Sequence, residues 1–188
     1  MATHLTNLSA RLTVALSAAA QKAIDLATPE AKLSMKRVID LAFGAGAGKA
    51  DLIWWDRRLV VKDSADDLDL AAVLVDAFNQ VLTFANVKVI LVINRSDEAM
   101  VGEGVGGGDH PATDAALKVG GAASAEFQGP FTATGDAITV PAGGAFAIIR
   151  ADADGWVVTP TSADILGITN LDADDEALYD IVIVGESA

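Results

Sequence analysis

The chain has no cysteine, so disulfide bonds, thiolate metal ligands and thiol nucleophiles are all excluded by composition. Histidine is nearly as scarce: His4 and His110 are the only two, and neither sits beside a nucleophile motif such as G-x-S-x-G. Aromatic residues make up 5% of the 188, which is poor material for the platforms that line a sugar-binding groove. No apolar run approaches the length of about 20 residues that crosses a bilayer; the longest are segments such as VKVILVI (87–93). MATHLTNLSARLTVALSAAAQKA has no basic segment ahead of its weakly apolar part, so it is not expected to act as a secretory signal. Basic residues are scarce over most of the chain. Residues 63–188 hold four Lys/Arg against 21 Asp/Glu, a formal −17, whereas residues 1–62 hold nine against five, a formal +4, giving −13 in all. An acidic body of this kind repels phosphate backbones, so neither nucleic acid nor a membrane is an expected partner. The basic N-terminal third suits an acidic surface instead, on a neighbouring copy or another protein.

Glycine, by contrast, is plentiful, and two Gly-rich stretches invite a nucleotide reading. AFGAGAGKAD (42–51) looks like a phosphate-binding loop, but anchoring that pattern on Gly48-Lys49 puts Phe43 where the first glycine belongs and Ala50 where the Mg²⁺-binding hydroxyl belongs. GEGVGG (102–107) satisfies G-x-G-x-x-G, yet no strand runs directly into it, no helical pattern follows, and Glu103 would oppose a pyrophosphate. The first stretch reads as a Gly/Ala connector, and residues 94–114 as a long, mobile surface loop able to contact a partner. RADADG (150–155) is calcium-loop-like, but aligned on Asp152, Asp154 and Gly155 it places Arg150 at the first ligand position and Thr161 at the last. The cluster Asp172, Asp174, Asp175 and Glu176 reads as a solvated turn. No metal, cofactor or nucleotide is expected. With 26 acids some carboxylate pair always exists, which permits glycoside hydrolysis without indicating it, and no enzymatic activity is expected.

From residue 59 onward the apolar pattern is that of short strands bounded by turn residues, at 58–62, 67–71, 81–85, 87–93, 116–121, 137–141, 145–150, 155–160, 165–169 and 179–185. This predicts an all-β fold, a β-sandwich with jelly-roll or Greek-key connections. AFAIIRADADGWVVTP (145–160) reads as a hairpin turning at Asp154-Gly155, a dipeptide that accepts the positive φ of a tight turn. PAGG (141–144) and LDADDE (171–176) read as further turns. The N-terminal part stands apart from this series. Leu12, Val14 and Leu16 alternate as in a strand, while TPEAKLSMKRVIDLAFG (28–44) fits either a strand or a helix capped by Thr28, opened by Pro29 and stopped at Gly44. The expected organisation is an arm or small subdomain over 1–58, with the connector at 44–50, and a β-sandwich body over 59–188.

DLIWWDRRLV (51–60) is the most distinctive stretch. If it is extended, successive side chains point to opposite faces, so Trp54 and Trp55 cannot enter one core. One of them, with Arg57 or Arg58 nearby, is a candidate interface anchor, because Trp and Arg are enriched where binding energy concentrates. Leu12, Val14 and Leu16 are the matching apolar candidates in the N-terminal segment.

Taken in order, GAGAGKADLIWWDRR, DSADDLDLA, DAFNQVLTFANVKVILV, LKVGGAASAEF, VPAGGAFAIIRADADGWVVT and YDIVIVG resemble small structural proteins encoded among the virion genes of tailed bacteriophages and prophages. The likeness runs from about Gly44 to Gly185 and lies in the order of strand and turn segments; it contains no active-site motif. It implies a non-enzymatic virion component, foremost a capsid decoration or cement protein that stabilises the head. Such a protein would be a homo-oligomer, a trimer by analogy, bound to the major capsid protein or another virion protein and assembled in the bacterial host cytoplasm. A head spike, fibre or tail component is the alternative within that class, and a carbohydrate-binding module the alternative outside it. The loop DEAMVGEGVGGGDHPATDA and the paired tryptophans depart from the family's pattern.

Overall fold

The computed structural model describes residues 7–21 and 30–187. The N-terminal arm is a hairpin of β1 (Ala10–Gln21) and β2 (Glu30–Phe43), antiparallel and in unbroken register from Ala10 opposite Leu41 to Gln21 opposite Glu30. A two-residue strand, β3 (Lys49–Ala50), pairs in parallel with the end of β2. The body begins with β4 (Leu52–Val60) and β5 (Ala65–Asp69), followed by β6 (Phe84–Asn94), β7 (Leu117–Gly120) and β8 (Ala137–Val140). It ends with β9 (Ala145–Ile149), β10 (Trp156–Val157), β11 (Ile165–Asn170) and β12 (Ala177–Ser187). Among the described residues the only helical turn is a 3₁₀ segment at Val105–Gly107, and no helix is long and apolar enough to cross a membrane.

One sheet runs β4-β12-β6 with β9 and β10 both on the outer side of β6; the other runs β5-β11-β7-β8, and every pairing in both is antiparallel. Counting β9 and β10 as one interrupted strand, this is the strand order of an eight-stranded jelly roll. The all-β sandwich expected from the strand pattern is therefore what the chain forms. Period-two alternation explains why: β12 turns Ala177, Tyr179, Ile181 and Ile183 into the core and sends Asp180 and Val182 to the outer face. Leu117 and Val119 from β7 and Leu166 and Ile168 from β11 meet them from the opposite sheet. Each such side chain contributes about 1.5–3 kcal/mol by leaving water. A polar latch crosses the sandwich as well. Tyr179 Oη donates to Asp66 Oδ2 at 2.7 Å, and Arg58 grips the same carboxylate through Nε and through Nη2 at 3.0 Å. Burial, reinforced by the charge of Asp66, pushes the Tyr179 phenol far above its ordinary range.

Four expectations change on the structure. The helical alternative for 28–43 is not realised over 30–43, because residues 30–41 of β2 pair with β1, whose alternation supplies a matching face, and Ala42 and Phe43 pair with β3. Thr28 and Pro29 lie outside the described residues. The hairpin at Asp154-Gly155 is replaced by an excursion between two pieces of one edge strand: Ile149 opposes Val89 and Trp156 opposes Val87, both on β6. Backbone bonds from Arg150 N to Lys88 O (2.8 Å) and from Val158 N to Ala85 O (2.9 Å) hold both pieces there. The turn chemistry itself is real, since Gly155 has φ 55° and a Cβ there would lie 2.9 Å from Val87 O. Finally, the separate strands at 81–85 and 87–93 are one strand from residue 84, bent by irregular register with β12. The boundary expected at 58/59 falls inside β4, which pairs with β12 along its whole length, so the arm proper is β1 and β2.

Candidate interaction surface

The arm is fastened to the body at the Gly/Ala connector. Gly46 N–H donates to Glu186 Oε1 at 2.5 Å, and Glu186 in turn pairs with Lys88 Nζ at 3.1 Å. Lys88 Nζ also donates to the carbonyls of Gly46 (3.4 Å), Asp152 and Ala153 (3.2 Å), and both charged side chains are buried. Gly48 N–H donates to Ala151 O at 2.8 Å. The stretch that looked like a phosphate loop thus aims a backbone N–H at an internal carboxylate, and the connector is a structural joint.

Beyond that joint the hairpin has two unlike faces. Cross-strand pairing places Ala10, Leu12, Val14, Leu16 and Ala18 beside Leu41, Ile39, Arg37, Met35 and Leu33, so one face is apolar except for Arg37. The other face carries Arg11 and Asp40, Ala15 and Lys36, and Ser17 and Ser34. The base of the apolar face, with Leu12 and Leu41, packs on Ile53, Val89, Val184 and Ile149 of the body. The outer half does not: Val14, Leu16, Leu33 and Met35 are 57, 55, 49 and 60% exposed. Isolated exposed apolar residues need no explanation, but a contiguous set on one face marks an interaction site.

On the body, the outer face of the first sheet is built in rows. Ile53, Val184, Val89 and Ile149 form the row under the arm base; Trp55, Val182, Leu91 and Ala147 form the next; Arg57, Asp180, Ile93 and Ala145 the one after. The alternation of β4 decides the tryptophans, leaving Trp54 4% exposed in the core and Trp55 55% exposed on the second row. Trp55, Ile93 and Val182 with Asp56, Arg57, Glu103 and Asp180 line an open groove of 560 Å³. Arg57 Nε donates to Asp180 Oδ1 at 2.6 Å and Arg95 Nε to Asp180 Oδ2 at 3.0 Å, while Glu103 stands 3.9 Å from Arg57. The bond from Arg57, followed by that from Arg95, draws the Asp180 carboxyl below its ordinary range against the opposing effect of partial burial.

The sequence candidates are thereby sorted. Val14, Leu16, Trp55 and Arg57 lie on open surface, Leu12 lies at the arm base, and Trp54 and Arg58 serve the core and the latch. Sequence reasoning missed Leu33, Met35, Leu91, Ile93 and Val182. The first two were hidden by the helical alternative, and the rest lie in strands apolar on both faces. The 94–114 loop is tied by reciprocal backbone bonds between Met100 and His110, whose buried ring sits 3.1 Å from Glu176. In the cleft on the other side of Trp55, three of the four lining carboxylates are committed to local structure, and the fourth, Asp67, is exposed. Asp69 accepts from the N–H groups of Ala71 and Ala72, Asp76 from those of Phe78 and Gln80, and Asp56 pairs with Arg58. Asp114, Asp172 and Asp175 approach within 4.8 Å, and Asp172 Oδ1 already accepts the N–H groups of Asp174 and Asp175. Comparison with protein-family models, curated proteins and solved structures found no match to this chain.

Proposed function

We propose that this chain is a non-enzymatic virion structural protein of a tailed phage or prophage, a head decoration or cement protein that acts by binding the particle and other copies of itself. The observation that carries this reading is the arm, which holds an apolar face clear of its own body. A chain with no partner gains nothing from holding Val14, Leu16, Leu33 and Met35 in water; a chain that assembles does. The jelly roll alone does not choose, since virion proteins, lectins and cupins share it and function resides in sites. The order of segments from Gly44 to Gly185 and the acidic body, which keeps copies soluble until they are placed, favour the virion component. A carbohydrate-binding module is disfavoured by the cleft beside Trp55, where three of the four lining acids, Asp56, Asp69 and Asp76, are engaged in turns and an ion pair. A spike or tail part would use the same surfaces at another place on the particle. The test is quantitative mass spectrometry and immunogold labelling of purified particles from the phage that encodes the chain. Many copies per particle, located on the head and assembled in the host cytoplasm, are expected; absence from particles would overturn the proposal.

A further inference from the structure

We infer that the groove walled by Trp55 and floored by Ile93 and Val182 receives the outer arm of a second copy of this chain. The inference rests on the self-association in the reading above, not on the virion. The arm base already demonstrates the contact type: Leu12 and Leu41 lie on the row Ile53–Val184–Val89–Ile149. One row further along the same sheet, Trp55, Val182 and Leu91 continue that surface with half-buried or exposed side chains. The outer arm continues the complementary face at the same two-residue period, through Val14, Leu16 and Met35. Val182 and Leu91 already border the chain's own arm base at Leu12 and Ile39, so the part of the pattern left open is the side toward Trp55 and Ile93.

Among the described residues, no part of the outer arm lines the chain's own groove. The twelve pairs of β1 with β2 contain no break in register, and the eight residues from Val14 to Gln21 extend the hairpin about 26 Å beyond its packed base at about 3.3 Å per residue. Folding back would require breaking those pairs. Charge agrees with the assignment. Residues 1–43 hold five Lys/Arg against three Asp/Glu, a formal +2, and residues 44–188 the remaining −15. Among the described residues Arg37 is the one charge on the arm's apolar face, and the groove's rim offers Asp56, Glu103 and Asp180. Asp180 is already doubly bonded by Arg57 and Arg95, while Glu103 has only the 3.9 Å approach of Arg57, so Glu103 is the carboxylate that Arg37 of the incoming copy meets. Each copy then gives one arm and accepts one, an arrangement that a closed ring satisfies.

The test is sedimentation of the full chain against concentration, with charge reversal at both ends of the contact. Arg37→Glu alone, or Glu103→Arg alone, is expected to raise the midpoint concentration of self-association about tenfold or more, and the double variant to recover most of it. Circular dichroism checks that each variant keeps its β fold. Because the chain has no cysteine, Arg37→Cys copies mixed with Glu103→Cys copies provide a second readout: a mixed disulfide dimer is expected, exceeding that from Arg37→Cys with the remote control Ile138→Cys. A monomer at all concentrations, additive losses in the double variant, or disulfides only between two Arg37→Cys arms would overturn the inference. Any of these with undiminished copy number on particles would leave the virion reading standing; a restored double variant with no particle incorporation would do the reverse.

Discussion

Lys88 and Glu186 form an ion pair that water does not reach, and removing two charges from water is costly unless their remaining protons and lone pairs are bonded too. Here they are: three carbonyls accept from Lys88, and Gly46 N–H donates to Glu186. The pair joins β6, β12, the connector and the 150–155 excursion at one point, so its effect is to fix the direction of the arm. Glu186→Ala leaves the lysine charge and the Gly46 N–H without their acceptor and is expected to lower stability by about 3–5 kcal/mol in urea denaturation. Replacing both partners with apolar residues, Lys88→Met with Glu186→Leu, is expected to recover much of that loss while loosening the arm. An unchanged denaturation midpoint in Glu186→Ala would show that the pair contributes nothing.

At the level of elements, the arm is a two-stranded hairpin, which alone is marginally stable in water and holds here through its packed base and joint. Replacing residues 14–37 by a two-residue Asn-Gly turn keeps Thr13 opposite Val38, as such a turn requires, together with the base residues Ala10, Leu12, Ile39 and Leu41. The shortened chain is expected to melt at nearly the temperature of the full chain but to lose concentration-dependent association. A large drop in melting temperature would mean that the outer arm stabilises its own body. The sequence made much of this arrangement legible. Alternation at Leu12, Val14 and Leu16 and the adjacent Trp54 and Trp55 fix strand and facing directly, because period two leaves no other placement. KLSMKRVIDLAF satisfied two periodicities at once, and only the partner strand resolves it. The 145–160 segment misled because Asp-Gly specifies a turn, not the strand that follows; whether a chain reverses or resumes depends on β6, sixty residues earlier in the sequence. The groove was invisible for a related reason: β6 and β12 are apolar on both faces, so nothing local marks Leu91 or Val182 as outward.

For the molecule as a whole, charge sets the working range. With −13 at neutral pH and a sequence pI near 4.3, acidification first relieves repulsion within the acidic body. Asp180, together with Asp136, Asp152 and Asp172, titrates below its ordinary range in the folded chain, so its stabilising effect is complete above the ordinary carboxylate pKa of 3.8 and is lost as pH falls below it. The melting temperature is therefore expected to stay level or rise slightly from pH 7 to about 5, then fall below about 4. Asp180→Asn should melt lower at neutral pH and show a shallower acid limb; an acid limb identical to that of the parent would remove Asp180 from the account. The position of β12 between β4 and β6 has a further effect, on the order of events during synthesis. Arg57 and Asp180, which pair across that sheet, lie 123 residues apart, so the first sheet has no centre until the ribosome has released residues 177–187. Until then β4 and β6 offer bare edges, and pairing over so long a loop places the chain among slow, late-closing folders that depend on protection while nascent. The arm, made of neighbours in sequence, can pair early, but the base and joint that hold it wait for β6 and β12.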